Sequence, residues 1–170
     1  GHVSRPVCHL AAMIGFDVTV VDDRPEFADR KFFPDAKNII CKSFADAIAG
    51  LNIGQNDYVV IVTRGHRWDG ICLKSVLSGE FPFYLGMIGS KKRVTEQIEL
   101  FKGEGFDPEK LDKVHTPIGL EIYAVTPAEI AVSICAEIIM CRRTYITKDR
   151  EYYMEQSDIG PEVLEFMLDD

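Results

Sequence analysis

The chain has 170 residues, 46% of them hydrophobic and 27% charged, so one core can form without disulfide or metal staples. Nineteen lysines and arginines stand against 27 acids, a net charge of −8, which excludes the basic stripe that nucleic-acid binding by counterion release needs. No apolar run has the length of a membrane span, and no secretory signal is read at the start.

The charge is uneven. From Tyr145 onward eight acids face only Lys148 and Arg150, and the first 144 residues are close to neutral. Residues 144–170 therefore read as an acidic extension, either a solvated surface or a partner-binding segment. Its Val163, Leu164, Phe166, Met167 and Leu168 after Gly160-Pro161 suit a short amphipathic helix. The five cysteines (Cys8, Cys41, Cys72, Cys135, Cys141) are odd in number and widely spaced. They read as small core residues rather than a disulfide framework or a metal site, and fit a reducing cytoplasm.

In chain order, strands alternate with helices. Val3 to Ile14 is apolar at helical spacing and stops at Gly15. Asp17 to Asp22 is a β-branched strand, Asp23 to Pro34 a loop, and Asn38 to Cys41 a second strand. A short helix at Phe44 to Leu51 precedes the Asp57 to Thr63 strand, which reads as buried on both faces. Trp68 to Leu77 is helical, Phe83 to Ile88 extended, Ser90 to Gly103 an amphipathic helix and Pro108 to Val114 a short one. Thr126-Pro127-Ala128-Glu129 is a capping box with proline at the first helical position. It predicts a helix to about Cys141, where Arg142 and Arg143 suit the dipole. This alternation predicts an α/β fold, Rossmann-like and doubly wound, with a mostly parallel sheet. A helix at Val3 followed by a strand calls for a strand before it, so the chain is expected to lack its first strand.

Three turns carry candidate chemistry. Gly1-His2-Val3-Ser4 heads the first helix like the second half of a G-x-G-x-x-G/A fingerprint, with Gly1 open to a pyrophosphate. About twenty residues on, Asp22 and Asp23 can take ribose hydroxyls. Arg24 can instead accept a 2′-phosphate, so NAD and NADP both remain open. Gly86-Met87-Ile88-Gly89-Ser90-Lys91 leads into a helix whose first turn holds three cations. That is unfavourable for the dipole unless an anion binds there; the alternative is a capped helix with a solvated basic turn. Thr63-Arg64-Gly65-His66 follows the most buried strand, and His66 is either a ligand-facing group or a hydrogen-bonded loop histidine. His115 to Gly119 forms another polar turn, while His9 reads as structural. There is no tyrosine-lysine pair of the short-chain dehydrogenases, no nucleophile elbow, no P-loop and no metal-ligand spacing.

Six segments in order resemble the C-terminal Rossmann domain of the XdhC/CoxI family, the xanthine dehydrogenase accessory proteins. They are Gly1 to Ser4, Val20 to Phe27, Thr63 to His66, Tyr84 to Arg93, His115 to Leu120 and Thr126 to Ser133. The likeness covers residues 1–143. It implies maturation of molybdenum hydroxylases: binding molybdenum cofactor, having it sulfurated by a sulfurating enzyme, and inserting it into the apo molybdenum hydroxylase. On that implication Gly1, His2 and Ser4 line the pyrophosphate and Asp22 the ribose. Gly89, Ser90 and Lys91 hold a second anionic group and His66 and His115 border the pocket, while Val3, Asp23, Arg24, Thr63, Gly65, Gly86 and Gly119 complete the expected cofactor-binding set. The cofactor-binding cysteines attributed to the family's N-terminal domain are not carried over to Cys8, Cys41, Cys72, Cys135 or Cys141.

Two functions follow. One is a non-catalytic, cytoplasmic accessory protein, compatible with a homodimer, that binds a phosphorylated or dinucleotide cofactor. The other is an NAD(P)-dependent oxidoreductase or a nucleotide-sensing domain, which the missing catalytic pair disfavours. Fold alone does not separate them.

Overall fold

The computed structural model describes residues 1–156, apart from the side chains of His66, Lys91 and residues 146–156. The short helix expected beyond Gly160 lies outside the described residues. By contacts the chain divides into two units, Gly1–Glu137 and Ile138–Asp170. The strands, the core clusters and every feature of the site below belong to the first.

The helix α1 (Ser4–Met13) ends as its sequence dictates, with Gly15 at φ 91° and the Phe16 N–H bonded to the Ala11 carbonyl. β1 (Thr19–Asp22) and β2 (Asn38–Cys41) pair in parallel, Thr19 opposite Asn38 and Asp22 opposite Cys41. α2 (Phe44–Gly50) follows, capped by the Ser43 hydroxyl. β3 (Tyr58–Ile61) and β4 (Tyr84–Met87) form a second parallel pair, joined through α3 (His66–Leu77). α4 (Lys91–Gly103) and α5 (Pro108–Asp112) lead to α6 (Pro127–Gln156).

Parallel pairing joined by crossovers is as the alternation predicts. The described strands, however, make two separate pairs rather than one continuous sheet. The β3–β4 pair is widened by His115, which bridges Gly86 in parallel and bonds to the Leu85 and Met87 backbone on either side of it.

The main core lies around β3 and β4. All four residues of β4 are buried, and Leu73, Leu85, Met87 and Leu111 are among the least exposed side chains. Each such burial stabilises by about 1.5–3 kcal/mol. A smaller cluster of Cys8, Phe33 and Ala36 sits beside β1 and β2. Cys8, Cys72 and Cys135 are buried, as expected of core residues, whereas Cys41 is exposed. Burial pushes the Cys72 thiol up to about 12 and the Cys135 thiol to about 11.

The α6 capping box forms as written in the sequence. Glu129 accepts from the Val125 and Thr126 N–H groups, each at 2.8 Å, and the Glu129 N–H donates to the Thr126 hydroxyl at 3.3 Å. The helix does not stop near Cys141. It continues to Gln156, because no glycine or proline interrupts the chain before Gly160. Among the described residues no helix is long and apolar enough to cross a membrane.

Candidate functional site

Parallel strands present their carboxyl ends on one edge, where successive turns meet. Three of the expected segments converge there. Asp22 ends β1 and is buried. Its Oδ1 accepts from the Arg24 N–H at 3.1 Å and from Arg24 Nε at 2.9 Å, and its Oδ2 from Arg24 Nη2 at 3.0 Å. Asp23 turns towards the end of β3, where both its oxygens accept from the Arg64 guanidinium, Oδ2 from Nη2 at 2.8 Å. Those hydrogen bonds hold the Asp23 carboxyl below its ordinary range. The Asp23–Arg64 pair thus ties the end of β1 to the end of β3.

Gly1 completes the convergence. A Cβ on Gly1 would meet only the Val62 carbonyl, 3.8 Å away, so the head of α1 lies beside the end of β3 with its backbone open. The Ser4 hydroxyl folds back onto the Gly1 carbonyl at 2.9 Å, and His2 is exposed. Val3 occupies the N-cap position without a side-chain cap; its carbonyl takes the Val7 N–H at 3.2 Å, and Pro6 in the first turn has no N–H. Gly65 is the N-cap of α3, and a Cβ there would meet nothing within 4 Å. Thr63 is held by Asp69, a buried acid in the first turn of α3. The Asp69 carboxylate accepts from the Thr63 hydroxyl at 2.6 Å and from the Thr63 N–H at 3.2 Å. His66 opens α3, but its side chain lies outside the described ones.

The glycines of the second turn behave differently. A Cβ on Gly86 would sit 2.5 Å from Ile118 Cδ1 and 2.8 Å from the Tyr84 hydroxyl, and one on Gly89 2.9 Å from Val94. A Cβ on Gly119 would collide with the Ser133 hydroxyl. Protein atoms fill the space beside all three, in contrast to Gly1 and Gly65. Ser90 takes the N-cap position of α4, but its hydroxyl makes no capping bond. Lys91 begins that helix, its side chain outside the described ones. The Ile88 N–H bonds to the Ile61 carbonyl, which sets this turn beside the end of β3.

Glu137 is not singled out by any sequence motif. It lies buried among apolar α6 neighbours, where Oε2 accepts from the Tyr84 hydroxyl at 2.5 Å and from the Gly119 N–H at 2.9 Å. His115 Nδ1 stands 3.4 Å from Oε1, with its ring stacked on Tyr84. Burial opposes the charge on Glu137, but hydrogen bonds from His115, Tyr84 and Gly119 outweigh it and hold the carboxyl below the usual glutamate range. An acid inside the apolar run Ile130 to Cys141 is the one signal that could have pointed to it. Among the described residues no group of three His, Cys, Asp or Glu side chains can hold a metal ion.

The turns after β1 and β3 and the head of α1 thus stand side by side. The model of the XdhC Rossmann domain matches residues 1–138. The chain belongs to the XdhC Rossmann-domain family. The Escherichia coli protein YqeB is 31% identical over 143 residues, 84% of this chain and 26% of that protein. A probable xanthine dehydrogenase subunit from Bacillus subtilis is 31% identical over 138 residues, 81% of this chain and 39% of that protein. A crystal structure of a xanthine dehydrogenase from Bacillus halodurans superposes with a TM-score of 0.78 and 32% identity, covering 88% of this XdhC domain and 44% of that chain. This XdhC domain therefore spans less than half the length of each of these relatives.

Proposed function

We propose that this XdhC domain serves xanthine dehydrogenase-type molybdenum hydroxylases as a cofactor-handling accessory, binding a phosphorylated dinucleotide at the carboxyl ends of β1 and β3. One observation carries the reading. On their Cβ sides Gly1 and Gly65 leave room beside the same strand ends, and the head of α1 adds positive potential for an anion. A pyrophosphate fits such a place. Gly86, Gly89 and Gly119 act instead as packing glycines that shape the neighbouring wall.

The molybdenum cofactor in its dinucleotide form carries a pyrophosphate, as does NAD(P). Gly1, His2, Val3, Ser4, Thr63 and Gly65 would hold that group. Bound molybdenum cofactor supplies oxygen-transfer and redox chemistry to the client enzyme, while this domain's residues bind and orient it. Its clients on this reading are the apo molybdenum hydroxylase and the enzyme that sulfurates its cofactor, in the cytoplasm.

Calorimetric titration with NAD, NADP and a molybdopterin dinucleotide tests the reading. Saturable, one-site binding of at least one of them is expected, with no turnover of a bound nicotinamide. Steady reduction of a bound nicotinamide by a co-substrate would replace the accessory role with an oxidoreductase.

A further inference from the structure

The turns after β1 and β3 hold two arginines that the dinucleotide reading does not by itself require. In a Rossmann site, an acid at the end of the second strand normally takes the ribose hydroxyls, and an arginine there accommodates a 2′-phosphate. Here the acids are already engaged. Asp22 Oδ1 has two donors and Oδ2 one, all from Arg24, and both oxygens of Asp23 face Arg64. Exposure follows the same division. The Asp22 and Asp23 side chains are 10% and 18% exposed, against 27% for Arg24 and 30% for Arg64. What an arriving ligand meets is guanidinium, with the carboxylates behind it.

Both guanidiniums are held in place. Arg24 lies 3.9 Å over the Phe27 ring and Arg64 4.2 Å over the Trp68 ring. Each bidentate pair uses two of five N–H donors and leaves three. The two cations are close enough that the charge of Arg64 acts on Arg24. Two fixed, forked cations side by side match the planar recognition of a phosphate monoester better than that of a neutral diol.

We propose that Arg24 and Arg64 form a clamp for a 2′-phosphate, so that the crevice selects a 2′-phosphorylated dinucleotide over its unphosphorylated counterpart. The proposal rests on the dinucleotide reading above and narrows its ligand class. Asp22 and Asp23 are positioning residues: they aim the two forks and keep the cluster neutral until the phosphate arrives.

The test is calorimetry on the whole chain with NADP, NAD and a molybdopterin dinucleotide, followed by Arg24→Met and Arg64→Met. NADP is expected to bind at least tenfold more tightly than NAD. Each variant should cut that ratio to below threefold. Raising the salt concentration should weaken NADP more than NAD. Equal or tighter binding of NAD than of NADP, or binding of the molybdopterin dinucleotide alone, overturns the clamp and leaves the dinucleotide reading standing. Failure of all three ligands to bind overturns that reading and the clamp with it. Should Arg24→Met unfold because Asp22 is left buried and unpaired, the wild-type ratio and Arg64→Met still decide.

Discussion

Replacing Glu137 with leucine is expected to lower the unfolding free energy by about 1–3 kcal/mol for each of the two buried donors left without it. The leucine fills the volume but takes their acceptor from the Tyr84 hydroxyl, on a residue 1% exposed, and from the Gly119 N–H. Glu137→Gln separates shape and hydrogen bonding from charge. Its amide oxygen can still accept from both donors, so a smaller loss of about 1 kcal/mol is expected at neutral pH. The pH dependence fixes the sign. The folded carboxyl sits below its unfolded value, so its stabilisation is complete above the unfolded glutamate pKa of about 4.3 and is lost as pH falls through the folded value. The gap between wild type and Glu137→Gln should therefore be constant from neutral pH to about pH 5 and close below it. Urea unfolding followed by circular dichroism at several pH values reads both. A gap independent of pH would show that the Glu137 charge contributes nothing.

Gly119→Ala should be comparably severe, at about 3 kcal/mol or more. Two effects combine. Gly119 sits at φ 96°, a backbone conformation that side chains resist. The new methyl would also collide with the Ser133 hydroxyl and lie 3.2 Å from the Ile134 nitrogen. Neither neighbour can yield cheaply, since Ser133 is on α6 and its hydroxyl donates to the Leu120 carbonyl at 2.6 Å. Displacing this loop also breaks the Gly119–Glu137 bond. The double variant Gly119→Ala, Glu137→Leu should thus lose less than the sum of the two single changes. Strict additivity in urea midpoints would mean that loop and carboxylate are independent.

Much of the fold is legible locally. The stop at Gly15, the strand at Asn38–Cys41, the proline-led α5 and the Thr126–Glu129 box each depend on residues within a few positions of one another. The site is only half legible by the same route. Glycines announce turns, but whether a glycine makes room for a ligand or for a neighbour depends on residues far along the chain. Gly86 faces Ile118, and Gly119 faces Ser133. Likewise Asp23 and Arg64 are 41 positions apart, and Tyr84 and Glu137 are 53 apart. No periodicity encodes such pairs. Asp22 and Arg24 are near neighbours, yet their mutual engagement depends on the burial of β1's end, which the sequence pattern does not resolve. The length of α6 departs from expectation for a different reason: Arg142 and Arg143 suit a helix C-terminus, but cations there end nothing without a breaker.

The central claim is that the crevice at the ends of β1 and β3, headed by Gly1, is a dinucleotide site. Amide hydrogen exchange of the whole chain, with and without a saturating dinucleotide, tests it most directly. Binding in the crevice predicts slowed exchange at His2 to Ser4, Asp23 to Arg24 and Thr63 to Gly65, with little change in α5. Protection confined to other segments, such as the groove lined by Ile48, Leu51, Ser75 and Gly79 at the far ends of α2 and α3, would contradict it.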